Sequence, residues 1–125
     1  MCIRDRSDTG ENTNLIDGTI KLGGGIGIKI MDASLIVHKS VKDRLVKVAI
    51  AHSISYQPEV FMGIGTDGGA TNYANKGIPT GVLSIPSRYT HSSVEVIDLK
   101  DLEMTKELLI QFIISLDEYT SFSYI

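Results

Sequence analysis

The sequence predicts an α/β fold, in which helices pack on a β-sheet. Runs of β-prone residues alternate along the chain with stretches whose apolar residues recur at helical spacing. The length of 125 residues is enough for one modest hydrophobic core and too short for two domains. Strands are predicted over residues 23–31, 54–62 and 81–85, and helices over residues 39–51 and 69–76 and from Asp98 onward.

The helix predicted over residues 39–51 has a clear two-sided pattern. Its apolar positions fall on one face and charged residues fill the other, as in a helix that lies on a sheet. A histidine flanks the helix at each end, where a capping or packing role is commoner than metal binding. The apolar residues are Val41, Leu45, Val48 and Ala49, and the histidines are His38 and His52.

The last predicted helix begins at Asp98, whose carboxylate can accept hydrogen bonds from the first amides of a helix. Asp101 and Glu103 add negative charge near the amino end, which the helix dipole favours. One apolar stripe is predicted to face the core, and it consists of Leu102, Leu109, Phe112, Ile113 and Leu116.

Charge and hydropathy exclude several classes of partner. The net charge is −3, with both signs scattered along the chain, so neither nucleic acid nor an anionic membrane surface is expected to bind. No apolar run approaches the ~20 residues that a membrane span needs, and no signal peptide is visible. A cytoplasmic location is the resulting expectation.

The first six residues, Met1 to Arg6, are interpreted as a cloning or sequencing scar. One set of codons for them coincides with a transposon end that is widely used to prepare sequencing libraries. They are therefore left outside the predicted fold, and residues 7–125 are treated as the protein. Since Cys2 is the only cysteine, disulfide and thiolate chemistry are predicted to be absent.

A glycine-rich turn follows the strand predicted over residues 54–62, and Asp67 within it is predicted to cap a short helix. The spacing G-x-G-x-x-G also fits a dinucleotide-binding loop. That interpretation fails because no Asp or Glu lies between Asp67 and Glu95, where a ribose-binding acid is expected. A Walker-type phosphate loop and a G-x-S-x-G nucleophile elbow are absent too.

A polar segment, residues 87–93, follows the strand that is predicted to end at Pro86. Ligands bind beyond the carboxyl ends of strands in open α/β sheets, so His91 is a candidate for chemistry. If this segment is extended, Tyr89 and His91 lie on the same face. On these residues alone, His91 is either a metal ligand or a hydrogen-bonded loop histidine.

The segments GTDGGA at residues 65–70, GIPTG at 77–81 and PSRYTHS at 86–92 are followed by Glu95. In wording, order and spacing they resemble the carboxyl-terminal part of M42-type metalloaminopeptidases, which include glutamyl, leucyl and lysyl aminopeptidases. The likeness runs from about Asp8 to Asp117. It implies a mixed sheet with packed helices, as a partial zinc-peptidase-like catalytic domain.

The resemblance also implies a site. The family hydrolyses amino-terminal residues from peptides with two divalent metal ions, zinc or cobalt, and often assembles as tetrahedral dodecamers. His91 corresponds to a metal ligand, and Tyr89 and Glu95 can fix its tautomer through hydrogen bonds. The cleft that holds substrate corresponds to Gly65, Thr66 and Asp67.

Other parts of the family's site have no counterpart. A metal-binding aspartate of the family falls near Cys2, inside the suspected scar, and no residue matches the remaining ligands or the general base. The chain also has Gly23-Gly24-Gly25-Ile26 where the family usually has Gly-Lys-Gly-Pro, which removes a lysine near the presumed site. We therefore expect residues 7–125 to be an inactive fragment of a longer enzyme, with no catalytic residue of its own.

Two alternatives remain. The chain can be a free-standing binding module that uses the same fold without catalysis, which a genuine start codon and ribosome-binding site upstream would favour. It can also follow the relatives that carry an endoglucanase label, although no carboxylate pair suited to a glycosidase is identified.

Overall fold

The predicted alternation of strands and helices is present in the computed structural model, which describes residues 2–7 and 20–122. A short 3₁₀ turn, Ala74–Lys76, follows the second helix. In chain order the elements are β1 (Cys2–Ser7), β2 (Ile26–Asp32), α1 (Lys39–Ala51), β3 (Tyr56–Phe61), α2 (Asp67–Tyr73), β4 (Val82–Arg88), β5 (Val96–Ile97) and α3 (Leu99–Ile114).

The strands form one mixed sheet in the order β1-β4-β2-β3, with β5 paired to the end of β4. The pairs β1–β4 and β2–β3 are parallel, whereas β2 runs antiparallel to β4, with Gly27 opposite Ser84. The carboxyl end of β4 therefore lies beside the amino end of β2. This direction decides which loops can share a site.

The core lies between one face of the sheet and the helices α1 and α3. Ile26 and Ile28 of β2 and Leu83 of β4 form one buried cluster with residues of both helices. The bounds of α1 match the prediction at both ends, and its four predicted core residues, Val41, Leu45, Val48 and Ala49, are all buried. The predicted α/β architecture with a mixed sheet is confirmed.

Helix α3 begins after its N-cap Asp98 as predicted, but the predicted apolar stripe is wrong. Leu102, Ile113 and Leu116 are 37%, 58% and 38% exposed, and of the predicted five only Phe112 is buried. The packed face carries Asp101, Thr105, Leu108 and Phe112. Two polar residues can face inward because distant backbone amides bind the Asp101 carboxylate and Thr105 donates to the Asp101 carbonyl.

The hexapeptide that the sequence analysis left outside the fold has a place in the sheet. Cys2–Ser7 forms β1, which pairs in parallel with β4 along its whole length. Ser7, where the range treated as the protein begins, is the last residue of β1, and residues 8–19 lie outside the described residues. The origin of residues 1–6 as a scar stays a prediction.

Strand β4 continues through Pro86 to Arg88, two residues beyond Pro86, where the sequence predicted its end. A proline lacks the N–H that a sheet ladder needs. Leu83 and Ser84 are the residues of β4 that pair with β2, so Pro86 lies beyond that ladder and does not interrupt it. Over the described residues, none of the helices has the length and apolar character needed to cross a bilayer.

Candidate functional site

The two predicted parts of the site lie at opposite ends of the strands. The turn with Gly65, Thr66 and Asp67 follows β3, and Asp32 at the end of β2 is opposite Phe61 at the end of β3. His91 follows β4, which runs the other way. At ~3.3 Å per residue the length of β4 separates them by about 20 Å. Within this chain they do not meet.

Asp32 organises the turn that follows β3. Its Oδ1 accepts hydrogen bonds from the amide and hydroxyl of Ser34 at 2.7 Å each and from the amide of Leu35 at 3.1 Å. Its Oδ2 accepts the Thr66 hydroxyl at 2.7 Å. Ser34 Oγ also accepts the Thr66 amide at 3.1 Å. These bonds join the turn after β2 to the turn after β3.

The predicted capping role of Asp67 is wrong. The N-cap of α2 is Thr66, and Asp67 is the first residue of the helix. The helix also ends at Tyr73 rather than Lys76, because the chain tightens into the 3₁₀ turn, where Asn75 has φ of +47°. Thr66 is buried and its hydroxyl is donated to Asp32, which leaves Asp67 as the exposed side chain of the turn.

The pKa of Asp32 is below its ordinary value. Burial alone would raise this pKa, but the hydrogen bonds from Ser34 and Thr66, with the amides of Ser34 and Leu35, together outweigh it. A carboxylate whose folded pKa is lowered stabilises the fold above the unfolded pKa, here 3.8. That stabilisation is lost as pH falls through the lower folded pKa.

Replacing Asp32 with Asn should therefore lower the free energy of unfolding at pH 7 by about 1–3 kcal/mol, since charged acceptors are lost. The difference between the two chains should shrink as pH falls below 3.8. Urea unfolding followed by circular dichroism at several pH values measures both effects. The control is Asp43→Asn: the pKa of Asp43 is lowered to about 2, first by the hydrogen bonds from Lys39 and Lys42, but its charge is solvated. An Asp32 variant as stable as the control at pH 7 would contradict the expectation.

His91 lies in the loop of a β-hairpin, which we call the His91 hairpin and which comprises residues 87–97. Ser87 pairs with Ile97 and Arg88 with Val96, and residues 89–95 form the loop. Tyr89 and His91 have φ of +63° and +65°, so this segment is not extended. The prediction that alternation places both side chains on one face is therefore wrong. The backbone turns so that Ser92 N–H can donate to the Tyr89 carbonyl.

Glu95 contacts the loop through the backbone of His91. Its Oε1 accepts the His91 amide at 2.7 Å, which closes the loop from 91 to 95. Ser92 Oγ donates to the Val94 carbonyl, and the hydroxyls of Ser87 and Thr90 lie 2.8 Å apart. Tyr89 is 61% exposed. Glu95 thus shapes the loop that presents His91, and its predicted effect on the imidazole tautomer stays a prediction.

The described residues do not form a metal site by themselves. Among them, no three His, Cys, Asp or Glu side chains are grouped so that they could hold an ion. Protein zinc sites use three or four such ligands. His91, which is exposed at the hairpin, can supply one of them. The residues present therefore do not fit a complete metal centre.

The burial of Lys29, Glu59 and Asp101 was not predicted from the sequence. Lys29 Nζ lies 3.1 Å from Glu59 Oε1, and both side chains are about 1% exposed. Because residues alternate along β2, this pair lies on the sheet face opposite the core of Ile26 and Ile28. Asp101 is fully buried and binds the amides of Gly23 and Gly25. A charge flanked by apolar residues, as in Ile28-Lys29-Ile30, was the available signal for the pair.

A model of the family described as M42 glutamyl aminopeptidase matches residues 3–108. A putative aminopeptidase of Acetivibrio thermocellus is 37% identical over 109 residues, which cover 87% of this chain and 33% of that protein. The chain thus spans 23–33% of the length of the curated relatives it matches.

Solved structures give the same result. An aminopeptidase of the archaeon Desulfurococcus kamchatkensis has a TM-score of 0.83 and 36% identity, over 91% of this chain and 32% of its own. The TET1 peptidase of Pyrococcus horikoshii, described as assembling into a tetrahedron or a large octahedral shell, has a TM-score of 0.72, 29% identity and coverage of 91% and 32%. A Thermotoga maritima chain titled endoglucanase has a TM-score of 0.59, 28% identity and coverage of 89% and 32%.

Proposed function

Because the chain belongs to the M42 family of glutamyl aminopeptidases, we propose that it forms the carboxyl-terminal part of an aminopeptidase catalytic domain that contains His91. The observation that carries this proposal is the family match over residues 3–108, together with the position of His91 in an exposed loop at the carboxyl end of β4. Ligand-binding residues in open α/β sheets occupy this position. The substrates of the whole enzyme are peptides with a free amino end.

M42 aminopeptidases are generally metal-dependent. For the whole enzyme we infer two divalent ions, zinc or cobalt, which would polarise the peptide carbonyl and activate water. Within this chain, His91 would provide one neutral imidazole ligand, and Glu95 would hold the loop that carries it. The other ligands and the general base belong to the two thirds of the relatives that this chain does not span.

The role of Gly65, Thr66 and Asp67 is a separate part of the proposal. These residues lie at the sheet edge away from His91, so they can contact substrate at the same centre only if a long cleft or another subunit bridges the sheet. The assembly described for the P. horikoshii peptidase supports a homo-oligomer for the whole enzyme. A cytoplasmic location stays a prediction.

Two alternatives have different tests. The endoglucanase title of the T. maritima chain favours glycoside hydrolysis, which would need a pair of carboxylates on either side of the sugar. A binding module would show neither activity. Leucine-, glutamate- and lysine-anilides and a soluble cellulose derivative separate the three possibilities in one set of assays.

The deciding experiment begins with independent genomic DNA upstream of the Ser7 codon. We expect it to encode the missing His, Asp and Glu ligands and not Met1 to Arg6. The full-length protein should then hydrolyse an aminoacyl-anilide with added Zn²⁺ or Co²⁺ and lose this activity with a chelator. Residues 1–6 encoded in place in an independent genome would contradict only their origin as a scar, whereas cellulose hydrolysis without anilide hydrolysis would contradict the proposal.

A further inference from the structure

Residues 22–25, which we call the glycine turn, are held by side chains from two other elements. Asp101 Oδ2 accepts the Gly23 amide at 2.7 Å, and Oδ1 accepts the Gly25 amide at 2.9 Å. Gln57 Nε2 donates to the Lys21 and Gly25 carbonyls at 2.9 Å each. Gly23 and Gly25 have φ of +75° and +96°, where a side chain would be strained. The Lys21 amide also donates to Gln57 Oε1 at 2.9 Å, so five hydrogen bonds to two side chains fix the turn and the residue before it.

The glycine turn lies at the same end of the sheet as His91, beside the carboxyl end of β4. Gly27 is opposite Ser84 in an antiparallel pair, so the residues before Gly27 run beside the carboxyl end of β4. A Cβ on Gly23 would lie 3.2 Å from Asp98 Oδ2. Asp98 directly follows β5, the returning strand of the His91 hairpin. The glycine turn therefore lies next to Asp98, the residue at which the hairpin ends. The turn with Thr66 lies at the other end of the strands.

The hairpin has a weak attachment of its own. Strand β5 has two residues, and its pairs with β4 are Ser87–Ile97 and Arg88–Val96. Strands in globular proteins usually have about three to ten residues, so β5 attaches the hairpin through an unusually short ladder. Beyond β5 the chain enters the first turn of α3, where Asp101 is fully buried. The bonds from Asp101 to the glycine turn thus fix the point at which the hairpin returns to the domain.

We propose that Asp101 is a positioning residue, which joins the glycine turn and the His91 hairpin into one rigid unit and so sets where His91 is presented. Its importance for catalysis rests on the proposed function of His91 as a metal ligand. The mechanical part does not, because it concerns only which segments move together. Within the glycine turn, Gly23 and Gly24 are exposed.

The test is amide hydrogen exchange on the full-length enzyme and its Asp101→Asn variant. Asn keeps one acceptor and replaces the other with NH₂, which cannot accept a glycine N–H. We expect the His91 amide, which donates to Glu95, to exchange about tenfold faster, as for the loss of one hydrogen bond to a charged acceptor. The amides of Leu45 and Val48 in α1 should be unchanged. The control is Glu103→Gln, an exposed change on the same helix.

Two results would overturn the proposal: an equal increase in α1, which would mean that Asp101 only stabilises the whole domain, or no change at His91. If the variant does not fold, the unmodified chain still decides. The Gly23, Gly25 and His91 amides should then open with one common free energy under native conditions. Opening of His91 while both glycine amides stay protected would contradict the proposal. None of these measurements uses metal or turnover, so they are independent of whether His91 binds a metal.

Discussion

Replacing His91 with Ala in the full-length enzyme is expected to lower kcat by more than about 100-fold, since changes to groups that only support a metal ligand already cost ~10–100-fold. The melting temperature should change little. His91 is exposed in a loop, and the hydrogen bond that its backbone amide donates to Glu95 does not involve the imidazole. The expected loss is therefore one of metal affinity or metal position, with the fold intact.

Three measurements on the same preparations separate these effects: metal content, turnover of leucine- or glutamate-anilide, and melting temperature. His52→Ala is the matched control, because His52 is an exposed histidine at the carboxyl end of α1. It should keep full metal content and turnover. Turnover that survives in His91→Ala while the melting temperature falls would make His91 a structural residue.

The two long helices show which parts of the fold the sequence could predict. In α1 every buried position is apolar and no charged position is buried, so local periodicity alone places its core face. In α3 the buried face includes Asp101 and Thr105, which are satisfied by groups 76 and 78 residues away or by their own helix. A pattern of apolar residues cannot reveal such partners. The predicted stripe was rotated for that reason.

The candidate site was predicted in its parts and not in its arrangement. The resemblance to the M42 family singled out His91 and the turn with Thr66. Whether the two loops lie at the same end of the sheet depends on the direction of each strand. Strand direction depends on long-range pairing, which local sequence does not specify. The left-handed backbone at Tyr89 and His91 was also hidden, since neither is a glycine and such conformations persist only where the surrounding structure holds them.

The 125-residue chain on its own is expected to be poorly soluble and inactive. Phe112 of the predicted stripe is buried, so it adds nothing to the exposed apolar surface. The exposed apolar face of α3 instead includes Ile110, Ile113 and Ile114, at 42%, 58% and 70% exposure. Among the described strands, β1 and β3 each pair along one side only, which leaves two sheet edges. Such edges and apolar faces favour association.

With one proposed metal ligand, the chain should bind zinc no better than an ordinary surface histidine does. Purified chain should hydrolyse no aminoacyl-anilide with or without added Zn²⁺ or Co²⁺, and calorimetry with the same ions should show no tight binding. The matched comparison is the His91→Ala chain, which should behave identically in both measurements. Metal-dependent turnover that copurifies with the chain and disappears in His91→Ala would mean that residues 1–125 hold a self-contained site. Metal ligands other than His91 would then have to complete that site.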